Sequence, residues 1–514
     1  MDGLQRKEKA GDMETFSGPS EMDIEADLTF GNQTPVLKKS FNLFSACATG
    51  MTTGNAWAVL GGGIIASLYN GGPPGIIYEF AVVCVLYSPI AASIAELASA
   101  VPASGGVYHW ATITAGPKYG RVCGWFAGWL NGLAWAFAVA GNCSMTSSMI
   151  VYAYALYHPG FEPKQWHVFI GYLIISWVCC LTVMFAQRAL PAISRLGSFF
   201  IVVGLVIVVI VCAIMPSRNG FGYASSQFVW KDWTNMTGYS SDGFTFLAGM
   251  LNGAFAIGAI DCVTHIAEEI PQAARNIPIA LACQIIIGFS TAFCYLIAMF
   301  YAVHDLPKIM SLDSICPLGD IYLQATGSTA GAVGLLTLSI CPIFCATIGC
   351  YVTTGRTIYV LGRDGATPFS PWLGTISGRW DSPFYATLTC GVFVTCIGAI
   401  YVGSLTAFNA FIGSFVLLTT LSYFLAIFPH MLTGRTSITP GPFWMGKLGF
   451  AVNAIACLYI VVSFVIYCFP YSLPTSAGSM NYTSVITCGL IVLVGIWWMI
   501  HGRGNFQGPL LEYR

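Results

Sequence analysis

Long apolar runs constrain this chain most. A membrane-spanning helix needs about 20 consecutive, mostly apolar residues, whereas a strand of a membrane barrel needs about 10 residues of alternating polarity. Because 8% of the 514 residues are charged, against roughly 25% in soluble domains, such runs are frequent here. The sequence predicts an all-α integral membrane protein with about twelve transmembrane helices, at 43–68, 76–100, 122–157, 166–187, 192–215, 244–268, 278–303, 328–360, 384–403, 405–430, 446–470 and 483–501.

The distribution of Lys and Arg predicts the orientation. These residues accumulate on the cytoplasmic side of membrane proteins. With a cytoplasmic N-terminus, 17 of the 21 fall inside, and the sequons at Asn235 and Asn481 fall outside. Both termini are therefore predicted to be cytoplasmic. Residues 1–40 are polar and predict a disordered tail, 41–501 form the membrane domain, and 502–514 form a short second tail.

Several other classes of protein are disfavoured. Most of the 19 cysteines lie within apolar segments, and no CxxC pair has histidines at zinc spacing. No glycine-rich phosphate loop is present, and a net charge of −1 gives nucleic acid no basic face. The sequence predicts no metal, no cofactor and no nucleic-acid partner. Since the sequence shows no set of residues typical of a catalytic nucleophile or a metal site, we do not expect an enzyme.

Two of the apolar segments contain weak helical points. The sixth has Asn252-Gly253 in its middle and Gly258 soon after, and the first contains TGMTTGNAW at 49–57. Broken helices expose backbone groups, which membranes tolerate where they line a cavity, and paired breaks in corresponding halves indicate a transporter site. The alternative is close helix packing through small residues. The pair of breaks predicts two five-helix repeats of opposite orientation.

Three long motifs resemble a known family. They are AELASAVPASGGVYHW at Ala95–Trp110, AIDCVTHIAEEIPQAARNIPIAL at Ala259–Leu281 and GRTIYVLGRDGATP at Gly355–Pro368. They are similar to the amino acid/polyamine/organocation transporter superfamily, within it to the fungal branch of amino acid and choline transporters, which includes choline and 4-aminobutyrate permeases. The resemblance implies a LeuT-like five-plus-five inverted repeat, with one repeat at about 41–215, the other at about 244–430 and extra helices at about 446–501. It also implies secondary active transport, usually driven by protons.

The resemblance also implies where the substrate binds. In the family, the unwound parts of helices 1 and 6 hold the ligand. An aromatic face at Trp57 or Phe255 would attract an ammonium group, although helix packing is an equal alternative for Trp57. The expected substrate-binding residues are Thr53, Gly54, Asn55, Trp57, Asn252, Phe255, Ala256 and Ile257.

Charged residues in or near the spans are candidates for coupling or gating. Asp261 has His265 as its i+4 neighbour, and a carboxylate inside a membrane costs enough to suggest a function. We consider a proton carrier, a counter-charge for a cationic substrate, and a structural pair at a helix end. Glu96 has the same alternatives, while Glu268 and Arg363 are expected in a cytoplasmic gate or structural network.

The sequence thus predicts a permease of the plasma membrane. The expected substrate is a small nitrogen-containing solute, an amino acid or an amine such as choline or 4-aminobutyrate, imported by alternating access with protons as the expected coupling ion. A nutrient receptor that binds the same solutes without appreciable flux is the alternative. The expected partners are this solute, protons and the lipid bilayer.

Overall fold

The structure is a computed structural model that describes residues 40–311, 314–401, 406–477 and 480–509. The predicted tail at 1–40 lies outside the described residues except for Ser40, and so does the end of the second tail. The described part of the chain is almost entirely helical. Its long helices, numbered TM1 to TM12, follow the twelve predicted segments.

Ten of the TM helices are continuous. Nine helices in the described ranges are long and apolar enough to cross a membrane, and TM9 is a shorter apolar helix. The continuous helices are TM2 Gly72–Ala100, TM3 Gly116–Tyr157, TM4 Gln165–Phe185, TM5 Leu190–Arg218, TM7 Ala273–Tyr301, TM8 Thr329–Arg363, TM9 Phe384–Tyr401, TM10 Thr406–Leu432, TM11 Leu448–Ile466 and TM12 Thr483–Trp497.

TM1 and TM6 are broken, as predicted. TM1a covers Leu43–Thr53 and TM1b covers Ala56–Gly62, with a further turn at Ile65–Leu68. TM6a covers Asp242–Ile257, and TM6b is a 3-10 helix at Thr264–Glu269. With these two, the helices number twelve, which confirms the predicted all-α membrane fold.

Short elements connect the spans. Strand β1, Asn70–Gly71, follows TM1 and pairs antiparallel with β2, Thr234–Asn235, which precedes TM6. The remaining short elements are the helices Val107–Thr114, Ser226–Trp230, Leu306–Ser311, Pro317–Thr326 and Ser370–Leu373, the 3-10 turn Gln187–Ala189, the π-helical turn Trp498–Gly502 and the final turn Arg503–Asn505.

Local sequence sets the starts of the key helices. The Asn42 side chain accepts a hydrogen bond from the Ser45 amide at 2.8 Å and caps TM1a. Ser241 caps TM6a in the same way, and Ser328 caps TM8 by accepting from the Gly331 amide at 3.0 Å. Such caps satisfy amides that the first helical turn leaves without partners.

Helix packing shows the inverted repeat directly. TM2 packs against TM6a, and the equivalent pair, TM7 with TM1, is also in contact. TM3 packs against TM10, and its equivalent pair, TM8 with TM5, does so too. The pairs TM2–TM7, TM3–TM8 and TM4–TM9 each join a helix to its counterpart in the other repeat, and all three pairs are in contact. These contacts among TM1 to TM5 therefore recur among TM6 to TM10. TM11 and TM12 lie outside the repeat, against TM10.

Two features near the C-terminus bear on the predicted topology. The chain after TM12 returns to the bundle at Phe506, which is buried with its ring 5.2 Å from that of Trp125, while Arg503, Gly504, Asn505 and Gln507 are exposed. Asn481 is buried, and its amide donates to the carbonyls of Tyr467 and Phe469. The sequon at Asn481 therefore gives no support for the topology.

Candidate functional site

The TM1 break lies where the sequence predicts it, at Gly54 and Asn55. TM1a ends at Thr53, and a side chain on Gly54 would collide with Gln284 of TM7. Asn55 is buried, and neither polar atom of its amide has a hydrogen-bond partner among the described residues. An unpaired buried amide is costly, so Asn55 is a group that a bound ligand would satisfy.

The TM6 break lies one turn later than predicted. TM6a is helical through Asn252 and Gly253 and ends at Ile257, and residues 258–263 are non-helical. Gly253 instead allows close packing, since an added Cβ would lie 3.4 Å from the Cα of Phe80 in TM2. The Asn252 amide donates to the Leu60 carbonyl of TM1b at 3.3 Å. Asn252 and Gly253 therefore join helices rather than break one.

Gln284 of TM7 connects the two breaks and is a residue that the sequence analysis missed. Its Nε2 donates to the Ala259 carbonyl in the TM6 break at 2.7 Å, and its Oε1 accepts from the Cys262 thiol at 3.7 Å. The same side chain fills the space next to Gly54. A buried amide thus satisfies backbone that the break leaves free, as membranes require.

Gly288, one turn further along TM7, lies against both broken helices. An added Cβ on Gly288 would lie 3.1 Å from the Ile257 side chain and 3.5 Å from Ala56 of TM1b. Ala256 and Ile257 are both buried at the end of TM6a. The two breaks therefore meet against one face of TM7.

Asp261 lies within the TM6 break and is fully buried. Its Oδ2 accepts from the Asn131 amide at 2.7 Å and the Trp135 indole at 3.4 Å, and lies 3.1 Å from His265 Nε2. Its Oδ1 accepts from the Tyr423 hydroxyl at 2.6 Å. TM3, TM6 and TM10 thus converge on one carboxylate.

His265 extends this network to TM8. Its Nδ1 lies 3.2 Å from the Thr357 hydroxyl oxygen, and that hydroxyl also lies 2.9 Å from the Thr353 carbonyl. All three side chains are buried. A hydroxyl has one proton to donate, so Thr357 can serve either the carbonyl or the imidazole at a given moment.

The aromatic candidates separate into two groups. Phe255 packs edge-to-face on Phe415 of TM10 at 5.4 Å, and Phe415 packs in the same way on Trp135 at 5.5 Å. Trp57 instead donates its indole N–H to the Ile201 carbonyl of TM5 at 3.2 Å and lies 5.2 Å from the Tyr295 ring. The packing alternative thus describes Trp57, whereas Phe255 lies beside the Asp261 network.

An ion pair closes the end of the bundle where TM1 begins. Arg356 Nη1 of TM8 lies 2.6 Å from Glu269 Oε1, and both side chains are 2% exposed. The Ser40 hydroxyl donates to the other carboxylate oxygen at 3.1 Å, and the Phe41 amide donates to the Glu269 carbonyl. TM1, TM6 and TM8 are therefore held together at this end. The sequence analysis did not identify this pair.

Glu96 lies in a separate cluster near the C-terminal end of TM2. Its carboxylate pairs with Arg435, lies 3.5 Å from His430 and accepts from the Met445 amide at 3.1 Å. These partners tie TM2 to the segment between TM10 and TM11. The contacts of Glu96 are those of a structural anchor.

Glu268 and Arg363 lie near the same end. The Glu268 amide donates to the Ser104 hydroxyl at 3.3 Å, and Arg363 Nε lies 3.3 Å from an Asp364 oxygen. Burial raises the pKa of Asp364, just beyond TM8, but His109 and Arg363 outweigh it and leave this pKa below its ordinary value. Arg363, Asp364 and His109 thus form a cluster of ionisable groups at this end of TM8, and a gating role for Glu268 and Arg363 stays a prediction.

Twelve helices, an inverted repeat and two broken helices that meet on TM7 define a secondary transporter. The chain belongs to the amino acid permease family, whose model, described as "Amino acid permease", matches residues 41–496. This match confirms the family that the three motifs indicate. It also makes the chain a multi-pass membrane transporter.

Three relatives are similar over nearly the whole chain. A choline transporter of Saccharomyces cerevisiae is 33% identical, over 92% of this chain and 83% of the relative. A 7-keto 8-aminopelargonic acid transporter of the same yeast is 26% identical, over 89% and 91%. The amino-acid permease BAT1 of Arabidopsis thaliana is 25% identical, over 92% and 94%. The family and these relatives are transporters, not enzymes.

Proposed function

We propose that this transporter imports a small nitrogen-containing solute, an amino acid or an amine such as choline or 4-aminobutyrate, together with protons. The observation that carries the proposal is Asp261, a fully buried carboxylate inside the TM6 break. An ionisable group at membrane depth is costly and usually serves transport. The similarity to a choline transporter supports the substrate class.

The contacts of Asp261 favour proton carriage over direct binding of a cationic substrate. Asn131 and Trp135 donate to Oδ2, which also contacts His265, and Tyr423 donates to Oδ1. A substrate ammonium group would have to reach a fully buried carboxylate that these four side chains surround. A proton needs no such space, because it can bind between Asp261 and His265.

The Thr357 hydroxyl supports two protonation states of this pair. When it donates to the Thr353 carbonyl, its contact with His265 requires an N–H on Nδ1, and the pair then holds a second proton on Nε2 or on the carboxyl group. When it rotates to donate to Nδ1, the pair holds one proton. Rotation of one hydroxyl thus accompanies loading and release.

The substrate itself is expected between the breaks, near Asn55 and Phe255. The unpaired amide of Asn55 offers both a donor and an acceptor to a polar solute. The Phe255 ring offers an aromatic face, worth about 0.5 to 2 kcal/mol to an ammonium group. Phe255→Ala should therefore weaken the binding of a cationic amine about twofold to thirtyfold, while Phe255→Tyr should retain most of it.

We further propose that the protein resides in the plasma membrane with both termini in the cytoplasm. The excess of Lys and Arg in the loops on the N-terminal side supports this orientation. The ion pair of Glu269 and Arg356 would then close the cytoplasmic end of the site, and the end near β1 and β2 would face outward.

Uptake into proteoliposomes tests the proposal. Purified protein is supplied with radiolabelled amino acids, choline or 4-aminobutyrate, with and without an imposed proton gradient. Accumulation of one solute that depends on the gradient is the expected result. Uptake without any dependence on the gradient would refute proton coupling, and binding without flux would favour a nutrient receptor.

Asp261→Asn tests the role of the carboxylate. The variant should bind the substrate but fail to accumulate it, because the amide cannot take up a proton at neutral pH. Glu162→Gln is the control, since Glu162 is an exposed carboxylate between TM3 and TM4. Normal accumulation by Asp261→Asn would show that Asp261 has a structural role and does not carry the proton.

A further inference from the structure

Glu79 of TM2 is a buried acid that the mechanism above does not use. Its side chain is 2% exposed, and neither carboxylate oxygen has a hydrogen-bond partner among the residues that the structure describes. Burial of an unpaired carboxylate costs several kcal/mol, so such a group takes up a proton instead. Glu79 is therefore a group that can bind a proton.

The packing around Glu79 makes room for this carboxyl group. A side chain on Gly249 of TM6a would collide with both of its oxygens. Gly249 also lines a small cavity with Ser67, Asn70 and Asn252, at the end of the bundle where TM1 finishes. Water that enters this cavity approaches Glu79 across a glycine, at the end opposite to the ion pair of Glu269 and Arg356.

Phenol groups line the way from Glu79 toward Asp261. Tyr467 is buried at the C-terminal end of TM11. The Tyr467 hydroxyl lies 3.2 Å from that of Tyr459, whose ring contacts Tyr87 edge-to-face at 5.6 Å. Glu79 and Tyr87 are eight residues apart on TM2 and so lie on the same face of the helix.

The last part of this path reaches the TM6 break. The buried hydroxyl of Tyr87 has no hydrogen-bond partner among the described residues, and it lies 3.4 Å from the position of a Cβ on Gly258. The Tyr423 hydroxyl lies 3.5 Å from the Gly258 carbonyl oxygen and donates to Asp261 at 2.6 Å. Both phenols therefore converge on the first residue of the break.

We propose that Glu79 is the first proton acceptor on the side where TM1 ends, and that the proton reaches Asp261 by way of Tyr87 and Tyr423. The inference rests on the proton coupling proposed above. Glu79 takes a proton from hydronium and passes it to water that enters from the cavity. The Tyr87 hydroxyl, which has no partner among the described residues, accepts a proton from that water and releases its own, through a second water, to Tyr423, which donates to Asp261. Only O–H bonds form and break, and Asp261 is the final acceptor.

Glu79→Gln separates this relay from substrate transport. Two assays are run on the same proteoliposomes: accumulation driven by an acidic exterior, and exchange of labelled for unlabelled substrate at equal pH. A gradient of one pH unit supports up to about tenfold accumulation for one proton per substrate. The variant should only equilibrate the substrate, while exchange continues, because exchange requires no net proton movement.

Glu162→Gln is the matched control, since Glu162 is an exposed glutamate between TM3 and TM4. Accumulation by Glu79→Gln equal to the wild type would overturn the relay, and so would loss of exchange together with accumulation, which would place Glu79 in the substrate cycle. A wild-type protein without gradient-driven accumulation would instead refute the proposed coupling, so the two failures are distinct.

Tyr87→Phe provides a second test that removes one hydroxyl and keeps the ring. Gradient-driven uptake should slow at least about tenfold, with exchange within about twofold of the wild type. Tyr78→Phe is its control, because the Tyr78 hydroxyl donates to the Trp230 carbonyl at the surface. Unchanged gradient-driven uptake by Tyr87→Phe would exclude Tyr87 from the relay.

Discussion

Glu269→Gln should open the end of the transporter where TM1 begins. In the closed structure, Glu269 and Arg356 pair at 2.6 Å and are both 2% exposed. The variant leaves the Arg356 guanidinium buried without its counter-charge. Once this end opens, water hydrates the guanidinium, so the substitution penalises the closed state far more than the open one.

The size of the effect follows from the burial of the pair. Removing one partner of a buried ion pair costs about 3 to 5 kcal/mol. Since 1.4 kcal/mol corresponds to a tenfold change, the open population should rise at least about a hundredfold. Glu269→Gln with Arg356→Gln removes both charges, and the double variant should recover most of this cost, giving a coupling of more than about 1 kcal/mol in the double-mutant cycle.

Hydrogen exchange of the protein in lipid nanodiscs measures this opening. Amides of TM1a, Leu43–Thr53, should lose protection in Glu269→Gln by the factor by which the open state gains population. Amides of TM4 serve as the internal reference. Glu162→Gln is the control variant, because Glu162 is an exposed glutamate between TM3 and TM4.

Two results would refute the reasoning. Unchanged protection of TM1a in Glu269→Gln would show that the ion pair does not hold this end closed. Equal loss of protection in the single and double variants would show that the uncompensated charge is not the cause.

Three further substitutions test the geometry of the breaks. Gln284→Met should lower the free energy of unfolding by about 1 to 3 kcal/mol, because the Ala259 carbonyl loses its donor, and unchanged thermal unfolding in detergent would contradict this. Trp57→Phe should lower the free energy of unfolding by about 1 kcal/mol, because the hydrogen bond to the Ile201 carbonyl is lost, and should leave substrate affinity unchanged. Weaker binding would show that Trp57 contacts the substrate. Asn55→Ala should weaken substrate binding at least about tenfold in a scintillation proximity assay. Its free energy of unfolding should stay within about 1 kcal/mol of the wild type, because the Asn55 amide is unpaired without substrate. Unaltered affinity would show that Asn55 does not bind the substrate.

The fold could be predicted because membrane helices depend on length and composition. The predicted segments match the observed helices within a few residues, and the break at Gly54 and Asn55 is in place. The break in TM6 lies later than predicted because glycine occurs in membrane helices for two different reasons. At Gly253 it allows a close approach of TM2, whereas at Gly258 the helix has already ended. A sequence pattern does not distinguish these uses.

The missed residues share one property. Glu79, Gln284 and Tyr423 lie within long apolar helices, and the residues that surround each of them come from helices remote in sequence. These surroundings become visible only when the helices are packed. The cost of burying each one was a usable signal, since a lone carboxylate or amide in a span demands a reason. Asp261 was identified because its neighbour His265 is local.

The short pairing of β1 with β2 mechanically couples the two halves of the protein. Asn70 and Gly71, which follow TM1, pair with Thr234 and Asn235 in the loop before TM6a, and the Met236 amide donates to the Tyr69 carbonyl at 3.0 Å. The Asn235 side-chain amide in turn donates to Asp242, the first residue of TM6a, at 3.0 Å. The end of TM1 and the start of TM6 are therefore fastened to each other, and we expect a displacement of one to be transmitted to the other through this clasp.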